Sequence, residues 1–405
     1  MEDPSPETWN RLRRYASWIR RVSLDQREFL GEDTVRQFRL NAPAGGWCPA
    51  LRSLRWIISI DTLRYVDLLF SPQLSDVCIY SGPPDSISPA LASTISALPA
   101  SALKTLWIGA EWESSLDTYW AHLKDSFSSV VLCCGPSLVR LSSQTPLSDE
   151  AVDHVIRLPH LRTWEVEGPP PSCSASSPKF ILPPLKEFTV GAKSARGWLS
   201  LFRSLEVRLS ATQDVTPLSR MKKSLRRLSV YGHFSAFIID LSFVFPIQIF
   251  QNLGFLHVGV GCSSEGRCIF KLNNDDIAKF AMAMPQLDYL VLGPTCSKNT
   301  CATTAACLLP LSVYCVRLSV LDIHFNTTNI VDDLKNISVD PRFQELHSLP
   351  RCEVWRLGVP DVPPVLDESG LRTVVDGMRY IFPRLSAFGH GMGTWHELYM
   401  KLHGD

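Results

Sequence analysis

Apolar residues recur along this 405-residue chain in triples at positions one, four and six, with polar residues filling the gaps. Leu51, Leu54 and Trp56 form one triple, Leu161, Trp164 and Val166 another, and Leu287, Leu290 and Leu292 a third. This alternation predicts a short strand with one buried face. Thirteen copies can be placed, starting at Ile19, Leu51, Leu74, Leu103, Leu138, Leu161, Leu185, Leu225, Leu253, Leu287, Leu318, Cys352 and Leu385. The triple alone is weak evidence, because 45% of the chain is hydrophobic and about ten or more copies would arise by chance. Proline strengthens it. Eight copies carry Pro two residues earlier, at Pro49, Pro72, Pro136, Pro159, Pro183, Pro285, Pro350 and Pro383, whereas 29 prolines would place about one there by chance. Proline stops a helix and favours extended geometry next to it, so the phrase predicts a helix end feeding a strand.

Helical spacing fills the intervals. Ser148 is expected to cap a helix over 149–158 and Asn274 one over 275–284. Helical spacing also spans 116–127 and 371–382, and 6–21 reads as an amphipathic helix with Trp9, Leu12, Ala16 and Ile19 on one face. The expected fold is therefore α/β: an irregular leucine-rich-repeat solenoid, or horseshoe, with parallel strands on the concave face and helices outside. Residues 1–30 would supply an N-terminal capping helix and first half-repeat, 31–391 the repeats, and 392–405 a C-terminal capping helix that includes Trp395–Leu402. The spacing between copies runs from 23 residues (Leu51 to Leu74) to 40 (Leu185 to Leu225), so the repeats carry loop insertions. The consensus Asn or Cys eight residues after the first Leu is met clearly only by Asn326. An ordinary α/β domain is the competing fold, although it needs no proline at a fixed offset from its strands.

Charge narrows the choice of partner. Lys plus Arg and Asp plus Glu are both 40, so nothing favours general nucleic-acid binding. The basic run from Arg220 to Arg227 reads as a solvated face beside a repeat strand. No signal segment opens the chain, and the longest apolar run, 234–245, is too short for a bilayer and contains Asp240. An intracellular protein, cytoplasmic or nuclear, is expected, with no membrane partner. Its two N-x-S/T sequons, at Asn326 and Asn336, then carry no meaning. The twelve cysteines include no C-x-x-C pair and several sit in apolar slots, so they read as small buried hydrophobes.

Catalytic signatures are missing from the sequence: no G-x-S-x-G, no H-E-x-x-H, no phosphate loop. Gly259–Gly266 has its third glycine misplaced for a dinucleotide loop, and Gly389–Gly393 reads as the end of the last strand. The expectation is a non-enzymatic protein without cofactor or metal. A hydrolase-type α/β enzyme is the alternative from another class, and it would show a deep pocket with converging His and carboxylate. In the repeat register, positions three, five and seven face the concave surface. The candidate protein-binding residues read off in that way are Arg55, Asp76, Tyr80, Trp107, Arg140, Glu165, Glu167, Tyr231, His257, Tyr289, Asp322, His324 and Arg356.

Three phrases carry a family resemblance. They are Trp9 with Tyr15–Ala16 and Ile19–Val22, then Cys48–Trp56, then Pro146–Glu150 with Leu158–Leu161. With the repeats, they resemble the fungal F-box/leucine-rich-repeat proteins over nearly the whole chain. The resemblance implies a substrate receptor of a Skp1–cullin–F-box ubiquitin ligase, whose repeats hold the protein to be ubiquitinated. The Leu-Pro-x-Glu-Leu-Leu-like F-box opening that would hold Skp1 is not found here, so the resemblance reaches the repeats further than it reaches Skp1. A repeat-only adaptor unrelated to ubiquitin transfer is the other reading.

Overall fold

The structure is a computed structural model that describes residues 5–24, 31–43, 46–81, 93–95, 97–110, 117–143, 146–167, 183–191, 195–200, 222–234, 238–262, 269–294, 301–339, 352–358 and 366–389. The chain divides into two compact units, Met1–Leu185 and Lys186–Asp405.

In the first unit, six strands lie side by side in chain order: β1 (Arg21–Leu24), β2 (Ser53–Ile58), β3 (Asp76–Ser81), β4 (Thr105–Ala110), β5 (Arg140–Ser143) and β6 (Thr163–Val166). Every pair is parallel. The register aligns Val22, Leu54, Val77, Leu106, Leu141 and Trp164 as one row. The last five of these are buried to 1% exposure or less. Two residues on, a second inward row runs through Leu24, Trp56, Ile79, Ile108, Ser143 and Val166.

The second unit repeats the scheme with β7 (Glu187–Gly191), β8 (Arg227–Phe234), β10 (Phe255–Cys262), β12 (Tyr289–Pro294), β13 (Val320–Ile323), β14 (Arg356–Gly358) and β15 (Ala387–Gly389). The short β9 (Ile238–Ile239) and β11 (Ile269–Phe270) pair separately. The main inward row here is Phe188, Leu228, Leu256, Leu290, Leu321 and Leu357, each fully buried.

Twelve of the thirteen repeat starts coincide with strand entries. The exception is Cys352. Leu321 pairs with Leu357, so the repeat begins at Val354, two residues later than expected. Trp355, read as a core residue, is 46% exposed, while Val354 is fully buried. A slip of two residues preserves face, so Arg356 stays on the outward side.

Proline acts differently from the expectation. Leu51 N–H donates to the Cys48 carbonyl across Pro49 and Ala50, and the same turn closes at Leu74, Leu138, Leu161, Leu287 and Leu385. Proline thus occupies the second position of a β-turn, where its fixed φ and missing N–H cost nothing, and the following residue lies in the turn rather than in a strand. Leu103, Leu253 and Leu318 close the same turn without proline, so the turn belongs to the fold and proline only favours it.

The helices pack beyond the inward rows. α1 (Pro6–Ala16) starts at Ser5, whose hydroxyl accepts from Thr8 N–H, and α2 (Glu32–Leu40) follows. α3 (Ile60–Leu63) is a single turn, and α4 (Asp117–Cys133) packs against α5 (Asp149–Val155). Ser148 caps α5 as predicted, but that helix ends at Val155. α6 (Leu241–Val244) is another single turn. In α7 (Asn274–Ala283), Asn273 is the cap rather than Asn274, and Asp276 closes a capping box with it. α7 packs on α8 (Leu308–Tyr314), and α9 (Ile330–Val339) on α10 (Glu368–Ile381). The expected helix Trp395–Leu402 and most of the 389–393 glycine run lie outside the described residues, as does the second half of 259–266. The architecture is therefore α/β with parallel sheets and helices between strands. No helix among the described residues is long and apolar enough to cross a membrane.

Leu290 tests the register. Leu290→Ala should cost about 2–5 kcal/mol in chemical denaturation. The control, Met282→Ala at a 51% exposed site, should cost less than about 0.5 kcal/mol. Equal, near-zero costs would refute the inward assignment of this row.

Candidate functional site

Strand alternation turns positions three, five and seven of each repeat away from the core. In the first unit this brings predicted residues into contact. Arg55 on β2 holds its guanidinium 4.6 Å from the ring centre of Tyr80 on β3. Tyr80 in turn lies 4.3 Å from Trp107 on β4. A cation and two aromatics therefore form a stack across three strands. Cys78 sits between Arg55 and Trp107 in the register. Burial raises its thiol pKa and Asp76 raises it further, while Arg55 and Arg140 pull it down. Glu165 accepts a 2.5 Å hydrogen bond from the Ser142 hydroxyl, and Glu167 follows at position seven beyond β6.

The second unit builds a similar stack at position three. Phe255 and Tyr289 stack with ring centres 4.3 Å apart at 12°, and Arg227 covers Phe255 at 4.5 Å. Arg227 also meets Glu187 at 3.8 Å. Beside this stack an open polar cleft of about 480 Å³ is lined by Arg226, Arg317, Asn252, Gln286 and Asp288, among others. Two of its arginines are braced: Arg226 donates to the Asn252 carbonyl and Arg317 to the Gln286 side chain. Sequence reading missed Arg227, Phe255 and Cys78. Their signal was present, since Phe255 occupies the same slot as Tyr289, but an apolar residue in a strand reads as core until the register is fixed.

At position five, His257 lies over Gly259, and the carboxyl of Asp322 fills the space that Gly358 leaves without a side chain. Burial lowers the His257 pKa, opposed by Asp322. Tyr231, His257, Tyr289, Asp322 and Arg356 are half-buried on this face.

His324 is a correction. Expected on the binding face, it is fully buried, because the chain turns inward after β13. Its N–H reaches the Leu292 carbonyl, and its ring lies 6.1 Å from Phe270. Gly293, at φ +154°, makes room: a Cβ there would lie 2.6 Å from that of His324. Burial lowers the imidazole pKa to about 4. Asn326 bonds the loop backbone locally. It is exposed, and its side chain accepts from Thr328 N–H. Other loops are tied by local devices too, such as the buried Thr62 hydroxyl that accepts from Trp56 Nε1 and donates toward the Ile57 carbonyl.

A second concavity lies in the first unit, where α1, β1 and α2 meet. It is an apolar groove of about 600 Å³ lined by Leu12, Tyr15, Ile19, Val35, Phe38 and Trp47, among others. Trp9 packs on Phe38 and Trp47, but Leu12, Tyr15 and Ile19 stay 37%, 55% and 37% exposed. The helix ends at Ala16, so Ile19 is not part of it; Ile19 takes the first position of the β1 repeat.

The eight cysteines whose state is described are free thiols, six of them buried. Burial pushes Cys134 and Cys315 up to about 12, the opposite of nucleophile activation. Among the described residues no group of three or more His, Cys, Asp and Glu could hold a metal ion. No known protein-family model matches the chain, and no curated protein is similar enough to match it.

His324 gives a pH prediction. The folded state keeps it neutral down to about pH 4, while the unfolded chain takes up its proton near pH 6.5. Between these values the unfolded state binds more protons. The neutral-His stability is complete above about pH 6.5 and is lost as pH falls toward 4, by up to about 3 kcal/mol. His324→Gln should flatten the denaturation free energy over that window relative to wild type. An unchanged slope would overturn the assignment.

Proposed function

We propose that this protein is a non-enzymatic protein-recognition solenoid of the leucine-rich-repeat kind. It captures a protein partner on its outward strand face without covalent chemistry. One observation carries this reading: arginines lie over aromatic rings on that face in each unit, Arg55 with Tyr80 and Trp107, and Arg227 with Phe255 and Tyr289. Such residues are enriched among the few that supply most of the energy in protein interfaces, because a rigid ring buries large area with little loss of rotamer freedom and a planar guanidinium forms a preorganised donor fork. Side-chain stacking across adjacent strands also fixes their geometry before a partner arrives. The resemblance to F-box/leucine-rich-repeat proteins extends the proposal to a ubiquitin-ligase substrate receptor. A repeat-only adaptor is the alternative use of the same face.

Affinity capture of the tagged protein from its own cells tests both levels, with a Trp107→Ala/Arg227→Ala variant alongside. Proteins retained by wild type and lost from the variant, with circular dichroism unchanged, support recognition on this face; identical eluates refute it. Skp1 and a cullin in the wild-type eluate select the ligase receptor. Their absence, with other proteins lost from the variant, selects the adaptor.

A further inference from the structure

We propose that the strand face of the first unit recognises an acidic, extended peptide segment of its partner; this rests on the recognition reading above. The second position of each repeat lies at the strand-entry edge, and there the first unit gathers cations. Arg20, Arg52, Lys104 and Arg162 precede β1, β2, β4 and β6, while Ser75 and Val139 precede β3 and β5. The spacing is set by the backbone, because the Arg52 carbonyl accepts from Ser75 and Asp76 N–H, and the Lys104 carbonyl from Val139 and Arg140 N–H. From β2 to β6, cations at every second strand therefore stand about 10 Å apart. Arg140 adds another at position three of β5, aligned between Thr105 and Thr163.

Immediately inward lies the stack of Arg55, Tyr80 and Trp107. Its aromatics offer apolar contact, and its guanidinium is held in place by Tyr80, which preorganises a donor fork for a carboxylate. An extended chain repeats its side chains on one face at about 7 Å. Carboxylates at alternate positions can thus reach the edge cations while intervening apolar residues meet the rings.

Charge complementarity selects the class of occupant. Arg52, Arg55, Lys104, Arg140 and Arg162 outnumber the carboxylates of this face, and Glu165 and Glu167 cluster at β6. A nucleic acid is disfavoured. Those carboxylates and Asp76 interrupt any continuous phosphate track, and the whole chain has no net charge to draw a polyanion.

Fluorescence anisotropy of the full-length protein with labelled twelve-residue peptides tests this. The probes repeat Asp-Leu-Glu-Tyr, Ser-Leu-Gln-Tyr or Lys-Leu-Arg-Tyr. The acidic peptide should bind about tenfold or more tighter than the neutral one and weaken as salt rises. Arg52→Gln with Lys104→Gln should lose part of that preference, and adding Arg140→Gln and Arg162→Gln the rest. The double variant keeps the test valid if the quadruple variant fails to fold. Neutral and acidic peptides binding equally, with loss in Trp107→Ala, would overturn acidic selection while leaving the recognition reading intact. Tighter binding of a twenty-nucleotide oligothymidine would overturn the peptide class. No peptide binding, with cellular capture still sensitive to Trp107→Ala/Arg227→Ala, would sink this proposal alone; if that capture is also insensitive, both readings fall.

Discussion

A single backbone carbonyl per repeat sets the geometry on which the rest depends. In most described repeats the residue just before the strand offers its C=O to two consecutive N–H groups of the next repeat, while Ser319 and Trp355 each accept one backbone N–H. The Arg20 carbonyl takes Arg52 and Ser53 N–H, that of Arg226 takes Gly254 and Phe255, and that of Gly254 takes Asp288 and Tyr289. This acceptance starts a strand at the same level as its neighbour. Parallel strands otherwise have no hairpin turn to fix their pairing. With the level fixed, Leu54, Val77, Leu106 and Leu141 meet as one inward row. Each such side chain, once buried, adds about 1.5–3 kcal/mol.

The same constraint creates the outward surface. Arg55 reaches Tyr80 and Tyr80 reaches Trp107 because positions five and seven of neighbouring repeats stand one strand apart. Arg227, Phe255 and Tyr289 meet for the same reason at position three. Recognition chemistry here needs no special loop. It arises wherever a regular register stacks unlike side chains, and glycine at Gly259 and Gly358 lets His257 and Asp322 lie flat against the sheet.

Departures from regularity occur where a helix or turn intrudes on the pattern. Val354 replaces Cys352 as the first repeat position because the register of β14 is set by Leu321 across the sheet, and the local triple at 352–357 offers no contest to it. His324 leaves the outward face one residue past the end of β13, where its ring packs near Phe270. Asn273 displaces Asn274 as a cap because only from 273 does Asp276 complete the reciprocal hydrogen bonds.

The sequence by itself determined which residues face inward, because a strand's two-residue alternation is a local property that Leu54, Leu290 and their equivalents carry in their spacing. It also marked most strand entries, through prolines that suit the turn closing at Leu51 or Leu287. It named most of the outward candidates for the same reason of parity. Tertiary structure alone decided which of them touch. Arg55, Tyr80 and Trp107 lie about 25 residues apart in sequence, and only the lateral register brings them within contact. It alone placed Phe255 outside the core and His324 inside it, since burial at a strand end depends on where the chain goes next and on the cavity a neighbour such as Gly293 leaves. Alternation is written in adjacent residues; contact and desolvation are properties of neighbours across the sheet.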